Sequence, residues 1–102
     1  MININFYKNG LEVSGHSEYD VEGKDIVCAG VSAIVMGSLN WFKDNDKITV
    51  KKGYIKIVIA NGNDDELKYL SLLNDQLQAM YHGDYKKYMS ISNFNHDINK
   101  KG

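Results

Sequence analysis

Asn9-Gly10 divides two runs of alternating polarity, with Ile2, Ile4 and Phe6 before it and Leu11 and Val13 after it. Both central residues of a tight hairpin turn need positive φ, which asparagine and glycine tolerate, so the dipeptide is the strongest short signal for a β-hairpin. A two-residue loop there pairs Lys8 with Leu11, Phe6 with Val13 and Ile4 with Gly15. All the apolar residues of the hairpin then share one face. A chain that opens this way must cover that face, and the rest of the sequence supplies the cover.

Residues 17–24, "SEYDVEGK", are polar and without a period, and read as a loop. Asp25 then reads as the N-cap of a helix running to about Phe42, with Cys28 in its first turn. Gly30, Ala33 and Gly37 form a small-residue stripe on that helix, which predicts a close contact with another backbone. "KITVKKGYIKIVIA" predicts a second hairpin, with Ile55, Ile57 and Ile59 on one face and Tyr54, Lys56 and Val58 on the other. A second helix follows, capped by Asp64 or Asp65, with acids in its first turn, a stripe of Leu67, Leu70, Leu73, Leu77 and Met80, and Gly83 at its end. "YKKYMSIS" completes the pattern as a final strand. The order ββαββαβ predicts an α+β fold: a mainly antiparallel sheet, built from two hairpins and a final strand, carrying two helices. The 102 residues are expected to form one domain, with little margin for a core, which favours dimerisation.

Composition narrows the function. Every basic residue is lysine, and the formal net charge is -1. Arginine is the preferred reader of guanine and phosphate, so direct nucleic-acid reading is not expected. The opening "MININFYKNG" has no apolar core behind a basic start, so no signal peptide is expected. No apolar run reaches membrane-spanning length. A single cysteine excludes an internal disulfide and fits a reducing cytoplasm.

That cysteine is the candidate for chemistry. A free thiol ionises near about 8.5, so a nucleophile needs help to become a thiolate at neutral pH. Two kinds of help lie nearby in sequence. The first turn of a helix favours negative charge, and His16, once protonated, would favour it further. His16 would act first as the base that ionises Cys28 and then as the acid that protonates a leaving amine. Asp25 would cap the helix or orient His16, Ser32 stands one turn beyond Cys28, and the N–H groups around Cys28 would stabilise an oxyanion. The competing reading makes Cys28 a small packing residue and His16 structural. His82 reads as a helix C-terminal charge and His96 as part of a tail. No metal site is expected, because Cys28 has no second cysteine and no histidine pair has ligand spacing.

"GHSEYDVEGKDIVCAGVSAIVMGSLN", Gly15 to Asn40, resembles the signature of the ribosomal-processing cysteine protease family, Prp. The pattern is Gly-His, a variable loop, Gly-x-Asp-Ile-Val-Cys-Ala, then small residues and a serine. The resemblance implies a cysteine endopeptidase that needs no cofactor. It implies a substrate too: the N-terminal extension of large-subunit ribosomal protein twenty-seven, cut after a phenylalanine in a short hydrophobic motif. The family's catalytic cysteine and histidine correspond to Cys28 and His16, its aspartate to Asp25 and its helix serine to Ser32. Family members are homodimers with a mobile loop over the site, here Ser17 to Lys24, so Gly15, Ser17, Gly23 and Lys24 become candidate substrate-binding residues. The alternative to an enzyme is a non-catalytic ribosome-associated assembly or binding module. A redox sensor is weaker, since no resolving cysteine exists within the chain.

Overall fold

The computed structural model describes residues 1–15 and 22–98, with residues 22–25 and 84 described by their backbone alone. Strands β1 (Ile2–Tyr7) and β2 (Gly10–Ser14) form the first hairpin, and helix α1 (Glu22–Ser38) follows. Strands β3 (Lys47–Lys51) and β4 (Tyr54–Val58) form the second hairpin, followed by helix α2 (Asp65–Met80) and strand β5 (Met89–Asn93). The expected order ββαββαβ and the mainly antiparallel sheet are both present, with sheet order β3-β4-β2-β1-β5.

Strand directions explain why both helices share one face. β2 and β3 each pair antiparallel with β4, so they are parallel to each other and α1 is their crossover. β5 pairs parallel with β1, and α2 is the crossover that carries the chain there from β4. The two crossovers start from strands of opposite direction and move to opposite edges. Given the right-handed rule for such connections, both helices land on the same side. They cover Ile2, Ile4, Phe6, Leu11, Val13, Ile55, Ile57 and Ile59, all buried. Val27, Val31 and Val35 on α1 and Leu70, Leu73 and Leu77 on α2 close the core from above. Each such side chain contributes about 1.5–3 kcal/mol when fully buried.

The first hairpin differs from its expected register. Phe6 faces Leu11 and Tyr7 faces Gly10, so the turn is Lys8-Asn9 rather than Asn9-Gly10. Moving a turn by one residue slides the register by two, so each side chain keeps its face. Gly10 is a glycine for another reason: a Cβ there would collide with the Ile57 carbonyl oxygen of β4. Asn9 is used as a clamp instead. Its carbonyl accepts from Ile59 N at 2.7 Å, and its Oδ1 accepts from Ile98 N at 2.8 Å.

Three expectations about packing need correction. The small-residue stripe is not one contact: a Cβ added at Gly30 would meet the Met80 methyl of α2, Ala33 is exposed, and a Cβ added at Gly37 would meet nothing among the described residues within 4 Å. On α2, Leu67, expected in the apolar stripe, is 41% exposed, while Glu66, in the first turn as expected, is 1% exposed. His96 follows the last strand, as a tail residue would, but it is packed. Its ring packs against Tyr7 and Phe94, and its carbonyl accepts from Lys8 N at 3.0 Å.

Glu66 belongs to a polar knot that joins the α1–β3 loop to the β4–α2 loop. Lys43 N donates to Glu66 Oε2 and to Asp46 Oδ2, each at 3.0 Å. Asp46 Oδ1 accepts from Ala60 N at 2.6 Å and from Asn63 Nδ2 at 3.0 Å. Burial pushes the Glu66 carboxyl above its ordinary value, and a hydrogen bond to Asp46 pushes it further. Burial also pushes Asp46 up, but the hydrogen bonds from Glu66, Ala60, Asn63 and Lys43 together outweigh it and hold Asp46 below its ordinary value.

Candidate functional site

Helix α1 presents two ridges to the sheet. Val27, Val31 and Val35 point into the core, while Cys28, Ser32 and Met36, each one residue on, face sideways toward the ends of β2 and β4. Cys28 is half-buried and packs on the core, and its thiol is free. It lines a cleft of about 160 Å³ together with Val31, Ser32, Gly15, Gly53, Ile2 and Val13.

Gly15 forms the wall opposite. It holds φ at 101°, in the left-handed region, and a Cβ would collide with the Met1 carbonyl oxygen. Its N–H donates to the Gly53 carbonyl in the β3–β4 turn at 3.1 Å. The chain therefore leaves β2 at a fixed point on the wall of the cleft that Cys28 lines. His16 is the next residue. It lies outside the described residues, as does Ser17, so their contacts with Cys28 do not enter the geometry.

α1 begins at Glu22, three residues before the expected cap. The apolar run that starts at Ile26 marks where the helix becomes buried, not where it begins. Glu22 and Lys24 are good helix formers, and an acid in the first turn complements the macrodipole. Asp25 therefore occupies a helical position instead of the N-cap, and Gly23 and Lys24 belong to the helix, not to a loop. Cys28 becomes the seventh helical residue, so its N–H is committed to the i→i−4 ladder. A helix's unpaired N–H groups are confined to its first turn. The backbone N–H of Cys28 cannot serve as the expected oxyanion donor while the helix is intact, and the macrodipole has faded by the second turn.

A second cleft, of about 290 Å³, shares Val13, Gly15, Ser32 and Gly53 with the first and continues to Met36, Val50 and Ile55. Met36, Val50 and Gly53 were not singled out in the sequence, although the spacing of Cys28, Ser32 and Met36 was there to be read. A larger cleft, of about 380 Å³, lies at the opposite end of the sheet, around Asn9 and Asn61, far from the thiol. His82 is exposed and edge-on to Tyr81, away from the Cys28 cleft. Among the described residues no three His, Cys, Asp or Glu side chains gather to hold a metal ion. No described helix is long and apolar enough to cross a membrane.

Fold and cleft together define a class: a two-layer α+β domain with one half-buried thiol on the helix ridge beside the sheet's end. The same fold occurs in the crystal structure of an essential ribosomal processing protease Prp from S. aureus in complex with a substrate peptide. The TM-score is 0.79 at 22% identity, covering 92% of this chain and all of that one. A family model described as Cysteine protease Prp matches residues 1–90, and the chain belongs to that family. The Ribosomal processing cysteine protease Prp of Mycoplasma genitalium is 48% identical over 48 residues, 47% of this chain and 48% of that protein. Its counterpart in Mycoplasma pneumoniae is 44% identical over 45 residues, 44% of this chain and 45% of that protein. The match thus spans about half the length of these curated relatives.

Proposed function

We propose that the chain is a cysteine endopeptidase that removes the N-terminal extension of large-subunit ribosomal protein twenty-seven, cutting after a phenylalanine in a short hydrophobic motif. The observation that carries this reading is that Gly15, the last described residue before His16 in the sequence, lines one cleft with Cys28. Family membership supports it, as does the substrate peptide bound to the S. aureus protease of the same fold.

In this reading His16 takes the proton from Cys28 Sγ, and the thiolate adds to the scissile carbonyl. The tetrahedral adduct collapses as His16 returns the proton to the departing amine, leaving a thioester. His16 then draws a proton from water, whose oxygen displaces the sulfur and frees the acid product. Asp25 orients His16 or tunes its charge, and Ser32 lends a hydroxyl to the cleft floor. Oxyanion donors come from the residues ahead of Cys28, since the helix start lies at Glu22. Gly15, Ser17, Gly23 and Lys24 contribute to peptide binding. The protein works as a cytoplasmic homodimer and needs no metal or cofactor.

One observation favours a competing reading, a non-catalytic ribosome-associated module. Cys28 packs against the core in the second helical turn, as an inert thiol would. A peptide spanning the cut site separates the two. The wild type is expected to cleave it and Cys28→Ala is not. Intact peptide after long incubation with reduced, folded wild type would sink the protease reading. Iodoacetamide labelling between about pH 5 and 9 gives a second check: a midpoint well under the free-thiol value of about 8.5 fits a nucleophile.

A further inference from the structure

The trough does not end at the thiol. Cys28, Ser32 and Met36 rise along one ridge of α1, which places Met36 about 12 Å from Cys28 along the helix axis. The cleft at Cys28 and the cleft at Met36 share four residues, so they form one continuous groove. Its two ends differ in chemistry. At the thiol the walls are Gly15 and Gly53, where backbone comes close. At the far end stand Met36, 47% exposed, and Val50, 49% exposed, over buried Ile55. Val50 faces Ile55 across the β3–β4 pair and so points to the helix-bearing side, yet half of it is left uncovered. Two large apolar side chains thus flank a groove that begins at the nucleophile.

We propose that this far end is a specificity subsite, resting on the protease reading, and that Met36 and Val50 receive an apolar side chain of the peptide substrate. The distance selects which one. An extended peptide advances about 3.3 Å per residue, so a span of about 12 Å corresponds to three or four residues from the scissile bond. The occupant is argued from continuity with the thiol cleft and from that span. A second copy of this chain seated in the groove would be the competing outcome.

The test is a set of cut-site peptides with each flanking residue changed singly to lysine, cleaved by wild type and by Met36→Glu. Met36 is half exposed, so the substitution leaves folding intact, as urea unfolding will verify. For wild type, lysine at one apolar position three or four residues from the bond lowers kcat/KM roughly 10- to 100-fold. In Met36→Glu that preference collapses at least tenfold at the same position and no other. Val50→Thr weakens it in the same place. An equal loss at every position, a change only at residues adjoining the bond, or a loss of self-association with unchanged preference would each overturn the subsite. A wild type that cuts no peptide overturns the protease reading and the subsite with it. A wild type that cuts, with preference unaltered in Met36→Glu, overturns the subsite alone.

Discussion

Gly15 shows how one residue can serve fold and site together. Its left-handed φ, its hydrogen bond to Gly53 and the Met1 carbonyl oxygen that occupies the space of a Cβ all fix where the chain departs from β2. Gly15→Ala adds both a steric collision and backbone strain, a cost of about 1–3 kcal/mol. The β2 end then shifts, and whatever follows it shifts too. Urea unfolding should show that destabilisation, and peptide cleavage at temperatures where the variant stays folded should fall more than tenfold. Activity equal to wild type in the folded variant would mean that the placement of Gly15 is irrelevant to the site. The glycine was visible in the sequence as part of Gly-His. Its reason was not, because the obstructing oxygen belongs to Met1, a residue whose position depends on the hairpin register.

Elements were legible where one period governed them. Ile55, Ile57 and Ile59 announced their face, and the structure buries all three. Boundaries were less legible, because burial and helicity begin at different residues. Asp25 precedes the first apolar residue of α1 and therefore resembled a cap, yet Glu22 to Lys24 continue the helix outward. The Asn9-Gly10 turn slid by one residue because Gly10 was needed against Ile57, which lies 47 positions further on (57 − 10), on a strand of the other hairpin and beyond the reach of any local pattern. The glycines of α1 give a test at this scale. Among the described residues nothing lies within 4 Å of a Cβ added at Gly37, so Gly37→Ala should raise stability by about 1 kcal/mol through helix propensity alone. Gly30→Ala should gain less, since its Cβ would stand 2.9 Å from the Met80 methyl, which has to swing aside. Urea midpoints of the two variants check both values. A destabilised Gly37→Ala would mean that another surface presses on that glycine, as the expected homodimer could.

For the whole molecule, the Asp46–Glu66 knot makes stability depend on pH. Sequence periodicity could not reveal it, since Asp46 sits in a loop and Glu66 in a helix's first turn, where acids are ordinary. Only the tertiary fold brings them together. Glu66 Oε1 is buried with no hydrogen-bond partner among the described residues, and a proton on the Glu66 carboxyl allows its side chain to hydrogen-bond Asp46. Glu66 titrates above its ordinary 4.5, so its stabilising contribution is complete below that value and is lost as pH rises through the folded-state value. Asp46 titrates below its ordinary 3.8, so its contribution is present above that value and is lost as pH falls through the folded-state value. The pair is therefore most favourable with one proton, and raising the pH above Glu66's ordinary 4.5 forces a second charge into a buried site. Glu66→Gln keeps a donor toward Asp46 and removes the titrating group. Its urea midpoint should stay level as pH rises above 4.5, where the wild type's declines, so the variant gains relative stability at neutral pH. Glu66→Ala loses the bond from Lys43 N as well and should cost about 1–3 kcal/mol at any pH. Parallel wild-type and Glu66→Gln profiles between about pH 4 and 8 would show that no proton is held at the knot.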